Sequence, residues 1–378
     1  MSIYLDNAAT SFPKPESVYQ AVMHAMREVG ASPGRGGYGR SLEAGRIMFQ
    51  AREAAAALFG APDSSRIVFT HSATESINMA LRGTLRPGDH VITSSMEHNS
   101  LARPLHLLEK QGVELTVVQA GRDGLIDPED VRRALTPRTR MIAVGHVSNV
   151  SGTIQSIDRL AVIAREARAL FLVDAAQSAG CVPIDVTGIG IDLLAVPGHK
   201  GLYGPQGTGL LWVAPGVTLL PLLAGGTGSN STSEDQPDSF PDGYEAGTHN
   251  LPGIAGLKAG MEFVMGQGVA AIGARERSLA LRAAERLKAL PGVTLYGPVD
   301  PALRTGVLSL TVAGRDTAEV AFELDRRFGI AVRSGLHCAP RAHRTLGSFP
   351  GGTIRMSPGW FTTEAEIDAF CNAVEQLL

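Results

Sequence analysis

The feature that most restricts the fold is a succession of short apolar runs, each closed by small or polar residues and separated from the next by helical spacing. "RIVFT" at 66–70, "HVITS" at 90–94, "ELTVVQ" at 114–119, "RMIAVGHV" at 140–147, "ALFLVDA" at 169–175 and "DLLAV" at 192–196 are rich in Val, Ile and Leu. Continuous apolar runs of this length suit strands covered on both faces of a parallel sheet. Segments between them, such as "DRLAVIAREAR" at 158–168, carry the amphipathic period of a helix. The alternation predicts an α/β fold, a mainly parallel sheet faced by helices.

A seventh run at 208–214 follows the sixth after only a Gly/Pro-rich loop, "GHKGLYGPQGTG". A parallel crossover needs about a dozen residues or more, so this run is expected to return antiparallel. Residues 222–243, "LLAGGTGSNSTSEDQPDSFPDG", read as a long polar loop, and loops of that length usually carry function or move. A long helical pattern from 251 to 290 then leads to strand-like "GVTLYG", "GVLSLTVAG", "IAVRSG" and "GTIRMSP", with helices at 317–327 and 363–377. This predicts a smaller α+β domain. The expected division is a large domain of residues 15–254 and a small one of residues 1–14 plus 255–378.

Composition narrows the function classes. Charged residues make up 19% of the 378, and the formal net charge of −3 gives no electrostatic reason to expect nucleic acid or a membrane surface. The opening "MSIYLDNAAT" has no signal-peptide pattern, and no run approaches the roughly 18 apolar residues of a membrane span. A cytoplasmic small-molecule enzyme is the expectation. Cysteines at 181, 338 and 371 are an odd, scattered set, with neither a disulfide framework nor metal-ligand spacing.

Polar residues fall at the C-terminal ends of the runs: Thr74 and Glu75, Glu97 and His98, Asn149, Asp174 and Gln177, His199 and Lys200. In an open α/β sheet the ligand site lies outside those ends. A helix beginning near Thr74 offers free N–H groups and a positive dipole end to a phosphate, or is simply an N-capped helix. Asp174, after four apolar residues, either caps a helix or pairs with a charge brought by a ligand. Lys200 is either a solvated surface charge or an amine able to form a Schiff base with an aldehyde. A phosphate cradle, an acid for a pyridinium nitrogen, a reactive lysine and an imidazole able to lie on a ring together match what pyridoxal phosphate requires.

With these residues in view, the chain resembles class V aminotransferase-fold proteins and, more narrowly, cysteine desulfurases. The resemblance rests on "YLDNAAT" at 4–10, "SATESIN" at 72–78, "MEHNS" at 96–100, "HVSNVSGT" at 146–153, "VDAAQSAG" at 173–180, "GHKGLYGP" at 198–205, "YEAGTHN" at 244–250, "RSGLHCAP" at 333–340 and "IRMSPGWFTTEAEID" at 354–368. It implies the pyridoxal-phosphate-dependent transferase fold, aspartate aminotransferase-like and of fold type I. Lys200 would hold pyridoxal 5'-phosphate covalently, Asp174 would pair with its pyridine nitrogen and His98 would stack on its face. Gln177 and Asn149 would bond near the ring oxygen, while Ala73, Thr74 and His199 would bind the phosphate. Thr248 would reach the phosphate of a neighbouring subunit, which implies a homodimer.

On the substrate side, Asn7, Ala8 and Asn149 would line the site for L-cysteine, and Arg355 would clamp its carboxylate with a two-pronged contact. Cys338 would be the nucleophile, taking sulfur as a persulfide and leaving L-alanine, with His337 and Arg333 as candidates for lowering its pKa. "RSGLHCAP" is of the family's short-loop type, which tends to depend on a sulfur-accepting protein, so turnover alone is expected to be slow. Such enzymes serve sulfur transfer, including iron–sulfur cluster assembly. Pro197 stands where many members carry a phosphate-binding hydroxyl, and Gly201 is an extra residue after the His-Lys pair. Selenocysteine lyase, another class V lyase or aminotransferase activity, and a catalytically weak sulfur-relay or regulatory scaffold are the alternatives. Cys181 and Cys371 read as structural.

Overall fold

The computed structural model describes residues 2–34, 36–229 and 232–378. In chain order its strands are β1 (Ile3–Tyr4), β2 (Ile67–Thr70), β3 (His90–Ser94), β4 (Glu114–Val118), β5 (Thr139–Gly145), β6 (Leu170–Asp174), β7 (Leu193–Pro197) and β8 (Gly209–Val213). They continue with β9 (Val293–Tyr296), β10 (Leu308–Val312), β11 (Ile330–Ala331), β12 (Arg333–Gly335) and β13 (Thr353–Met356). Every predicted run is a strand. Among the described residues, seven form the large sheet in the order β2-β8-β7-β6-β5-β3-β4.

The central strands are parallel, and β8 is antiparallel to both β7 and β2, as the short connection requires. Leu193, Leu194, Leu210 and Leu211 are wholly buried because helices cover both faces. Each such leucine contributes on the order of 2 kcal/mol through removal of its surface from water. β4 departs from the expectation of strands buried on both faces. At one edge of the sheet, its Glu114 to Val117 are partly or fully exposed, whereas β2 at the other edge is buried throughout.

The helical pattern after residue 250 resolves into two helices, Leu251–Gln267 and Val269–Leu287, broken at Gly268 with φ +87°. The first runs unbroken through residue 254, and its Ile254, Leu257 and Met261 share the core under the large sheet. The second packs Leu279, Ala283 and Leu287 on the antiparallel sheet β12-β13-β10-β9. Leu5 joins this core through the β1–β11 pair, so the N-terminal segment returns to the C-terminal part of the chain. The final helix, Glu364–Gln376, starts with a capping box between Thr363 and Glu366. In the polar loop expected at 226–243, Asn230 and Ser231 lie outside the described residues. The loop ends in a 3-10 turn at Asp242–Tyr244.

A buried ion pair fixes the segment that follows. Arg52, on the helix Gly39–Phe59, makes a two-pronged contact with Glu245 at 2.7 and 2.6 Å. Glu245 also accepts the Phe69 N–H of β2. Removing one partner of such a pair strands the other charge without water. We expect Glu245→Gln to lower the unfolding free energy by about 3 kcal/mol in urea titration, with the secondary-structure spectrum at zero denaturant unchanged.

Candidate active site

The polar residues at the strand ends meet in one cavity of about 230 Å³. Ala73, Thr74, His98, Asn149, Asp174, Gln177, His199 and Lys200 all line it. The cause is topological. β5, β6 and β7 are adjacent and parallel, so the chain leaves each at the same edge, and Asn149, Asp174 and Lys200 arrive side by side.

Asp174 closes β6, is buried, and has no cation within 4.0 Å among the described residues. Burial raises its pKa, opposed by the Ala176 N–H on Oδ1 at 2.9 Å, by Lys200, and by the Ser100 hydroxyl on Oδ2 at 3.4 Å. His98 caps the helix Asn99–Glu109 and accepts the Ser100 N–H at Nδ1, 3.0 Å away. Its ring proton therefore sits on Nε2. Burial, with Lys200, Arg333, Arg355 and Arg103 nearby, lowers its pKa to about 4, so the ring is neutral at pH 7. Burial also pushes the Lys200 amine down to about 8, although Asp174 pulls it upward, so the amine is partly neutral near pH 7.

One end of the cavity is made by the start of the helix Ala73–Thr84. Ser72 caps it by accepting the Glu75 N–H at 3.3 Å, while the N–H groups of Ala73 and Thr74 take no acceptor among the described residues. His199 Nδ1 is likewise buried without a partner. Pro197 lines the same wall and has neither N–H nor hydroxyl to give. Gly201 has a packing reason. A Cβ on Gly201 would lie 2.3 Å from the Ala179 carbonyl, and one on Gly180 would lie 2.1 Å from the Gly201 carbonyl. The turns after β6 and β7 therefore touch through backbone alone.

Asn7 and Ala8 line a smaller adjoining cavity of about 40 Å³, shared with Gln177 and Lys200. Gln177 reaches across it to donate to the Ala8 carbonyl at 2.9 Å. Arg355, on β13, is buried. It donates to the Asn149 carbonyl at 3.0 Å and to Asp6 at 2.7 Å, leaving Nε without a partner. Arg333 stands directly across from it on β12. Thr248 does not enter this chain's own cavity. It lies with Glu245 and His249 in a separate depression beside β2.

Cys338 is exposed, and Arg333 donates towards its Sγ at 3.5 Å. The loop that carries it is held at two carbonyls. Asn149 Nδ2 donates to the His337 carbonyl at 2.7 Å, and the Asn99 N–H donates to the Cys338 carbonyl at 2.7 Å. His337 and Cys338 both have positive φ, 47° and 57°. One expectation is corrected. His337 is buried with Nε2 on the Thr353 hydroxyl at 3.0 Å, and burial depresses its pKa to about 2. It is neutral and offers the thiolate no positive charge, which leaves Arg333 as the cation in contact.

Three residues of the site escaped sequence reasoning in their roles. Ser100 links His98 to Asp174, and its only signal was its position two residues past the histidine in an N-cap pattern. Asp6 pairs with Arg355 across 349 positions, a separation no local pattern reveals. Glu97 stood out only as a strand-end acid. It is buried, with the Ser94 hydroxyl on one oxygen and the Gly145 N–H on the other at 2.8 Å, and burial lifts its pKa to about 8.

N–H groups waiting for a phosphate, an acid waiting for a ring cation and an amine kept partly neutral fit pyridoxal phosphate, and they define a pyridoxal-phosphate-dependent α/β enzyme. The chain belongs to the aminotransferase class V family, whose model matches residues 3–370. A probable cysteine desulfurase of Methanothermobacter thermautotrophicus is 38% identical over 99% of this chain and 94% of its own. The apo cysteine desulfurase of Thermococcus onnurineus NA1 superposes with a TM-score of 0.92 at 34% identity, covering 100% of this chain and 94% of that one. The cysteine desulfurase CsdA of Escherichia coli, solved as an S-sulfonic acid form, gives 0.90 at 32% identity over 99% and 94%.

Glu97 yields a pH prediction. Its folded pKa of about 8 lies above the ordinary carboxyl value of 4.5, so its stabilisation is complete below pH 4.5 and is lost as pH rises through 8. Glu97→Gln cannot ionise. The stability of the cofactor-free variant relative to wild type should therefore increase steadily from pH 5 to pH 8 in urea titrations.

Proposed function

We propose that the protein is a pyridoxal-phosphate-dependent cysteine desulfurase, converting L-cysteine to L-alanine and holding the sulfur as a persulfide on Cys338. The observation that carries this is the placement of the thiol. It is exposed, touches Arg333, and is tied through Asn149 and Asn99 to the walls of the cofactor cavity.

When bound, the cofactor supplies a ring that stabilises negative charge at the substrate Cα. Lys200 would hold it covalently, Asp174 its ring nitrogen, and Ala73, Thr74 and His199 its phosphate. His98 would cover one face, and Gln177 and Asn149 would bond beside the ring oxygen. Arg355 would take the substrate carboxylate by exchanging its contacts with the Asn149 carbonyl and Asp6, while Asn7 and Ala8 close the opposite side. The Lys200 amine, once released and neutral, would remove the α-proton. The Cys338 thiolate would attack the substrate sulfur, forming an S–S bond as the Cβ–S bond breaks. The electron pair of that bond stays on carbon, which takes a proton and leaves as alanine.

A homodimer is the proposed working unit, with Thr248 reaching the partner's phosphate site. Tyr19, Met26, Leu42 and Phe49 support it, because these large apolar side chains stand exposed on the first two helical segments. No helix among the described residues is long and apolar enough to cross a membrane, in keeping with a proposed cytoplasmic location. The proposed parts are a large domain of residues 15–254 bearing Lys200 and a small one of 1–14 plus 255–378 bearing Arg355 and Cys338. A sulfur-acceptor protein, such as one serving iron–sulfur cluster assembly, would complete turnover.

Two measurements test this. Cys338→Ala should retain the visible absorbance of the bound cofactor while alanine and sulfide formation from L-cysteine fall by at least about 100-fold. Undiminished alanine formation would remove Cys338 from the reaction. Light scattering should give a dimer mass, and Phe49→Glu should shift it towards the monomer and release cofactor.

A further inference from the structure

The charge around Cys338 is one-sided. From Arg326 to Thr363 the chain contains no Asp or Glu, yet it holds Arg333, Arg341 and Arg344. Arg333 touches the thiol, and the helix Pro340–Leu346 that follows the loop carries the other two. Arg344 lies 4.2 Å from the exposed Phe349 ring, held by an aromatic face. The Arg122 guanidinium lies against Gly347 at the end of that helix. Arg103 is exposed on the helix whose first N–H binds the Cys338 carbonyl, and it is close enough to depress the pKa of His98.

Among the described residues, none of these five arginines has a carboxylate within 4.0 Å. Arg132, Arg138, Arg282 and Arg315 elsewhere on the surface are paired, whereas the five stand on elements that flank a stretch without acids. In a chain of net charge −3, five arginines without a carboxylate partner, on the loop of one exposed thiol and on the elements that flank it, form a local excess of positive charge, a cationic collar.

We propose that this collar is the docking surface for the sulfur acceptor, and that the acceptor presents its receiving thiol among carboxylates. The inference rests on Cys338 carrying sulfur, as proposed above. Transfer is thiol exchange. The acceptor thiolate attacks the outer sulfur of the Cys338 persulfide, a new S–S bond forms on the acceptor, the old one breaks, and Cys338 leaves as a thiolate. Neither an oxidant nor a reductant is consumed. Carboxylates beside the attacking thiol meet the arginines and raise the encounter rate, while Arg333 receives the negative charge returning to Cys338.

The chain holds one internal rival for the collar. Residues 201–257 contain no Lys or Arg, and Glu234, Asp235, Asp238 and Asp242 lie within them, so this loop of a second copy could cover the arginines. It has no cysteine and cannot receive sulfur, which favours the acceptor as occupant.

The test uses cofactor-loaded protein treated with L-cysteine, then three pentapeptides with a central cysteine flanked on both sides by two glutamates, two serines or two lysines. Peptide persulfide is followed by mass spectrometry, and each rate is divided by that of the same peptide against a small disulfide, which removes differences in thiol reactivity. At low salt the glutamate peptide should unload Cys338 about tenfold faster than the lysine peptide, and about 0.5 M salt should shrink the difference to less than about twofold. Arg341→Glu combined with Arg344→Glu should abolish or invert the order, with the first-turnover yield of alanine unchanged as the check on folding.

Equal corrected rates for the three peptides, or an order insensitive to salt, would overturn the inference and leave the persulfide reading intact. Faster unloading by the glutamate peptide only after Glu234→Gln, Asp235→Asn and Asp238→Asn would assign the collar to a second copy and overturn it too. Absence of any persulfide on Cys338 would remove the reading and the inference together.

Discussion

Withdrawal of water from the carboxyl edge of the large sheet is the constraint on which the rest depends. Parallel strands need helices on both faces, so the polar groups at their ends are enclosed as well. Enclosure acts on every titratable group there in one direction, against its charge. His98 and His199 become neutral, Lys200 approaches neutrality, and Glu97 holds its proton. The neutral imidazole of His98 and the partly neutral amine of Lys200, which the proposed cofactor roles need, both come from burial. Asp174 is pushed the same way, towards its neutral form, and a cation arriving on a ring nitrogen would oppose that push.

The small sheet adds the groups proposed to handle substrate. Arg355 and Arg333 sit opposite one another on β13 and β12, an arrangement that like charges oppose. Asp6 offsets half of it from the N-terminal segment. Because Leu5 is buried in the core of the small sheet, Asp6 and Asn7 are carried to the site by the same packing that closes that core. The substrate side is thus assembled from two ends of the chain, and the cofactor side from the strand ends of the large sheet.

Much of this was legible in residue order. Strand runs and their C-terminal polar residues are local signals, and the topology that unites Asn149, Asp174 and Lys200 follows from parallel strands alone. The antiparallel return of β8 was readable from loop length. Long-range or environmental features were not. Asp6–Arg355 and Arg52–Glu245 join positions hundreds apart, and no periodicity marks such pairs. The neutral state of His337 depends on burial against Thr353, which its place beside Cys338 could not reveal. The partial exposure of β4, at the opposite edge from the fully buried β2, was not marked in the apolar run either.

His337 and Cys338 adopt consecutive left-handed backbone conformations, which cost ordinary side chains on the order of 1 kcal/mol or more each. Asn149 and Asn99 hold them there. A loop clamped in this way has little reach. In the proposed transfer, whatever collects the sulfur would have to travel the whole remaining distance itself, so the delivery range would be a property of the molecule that comes to Cys338.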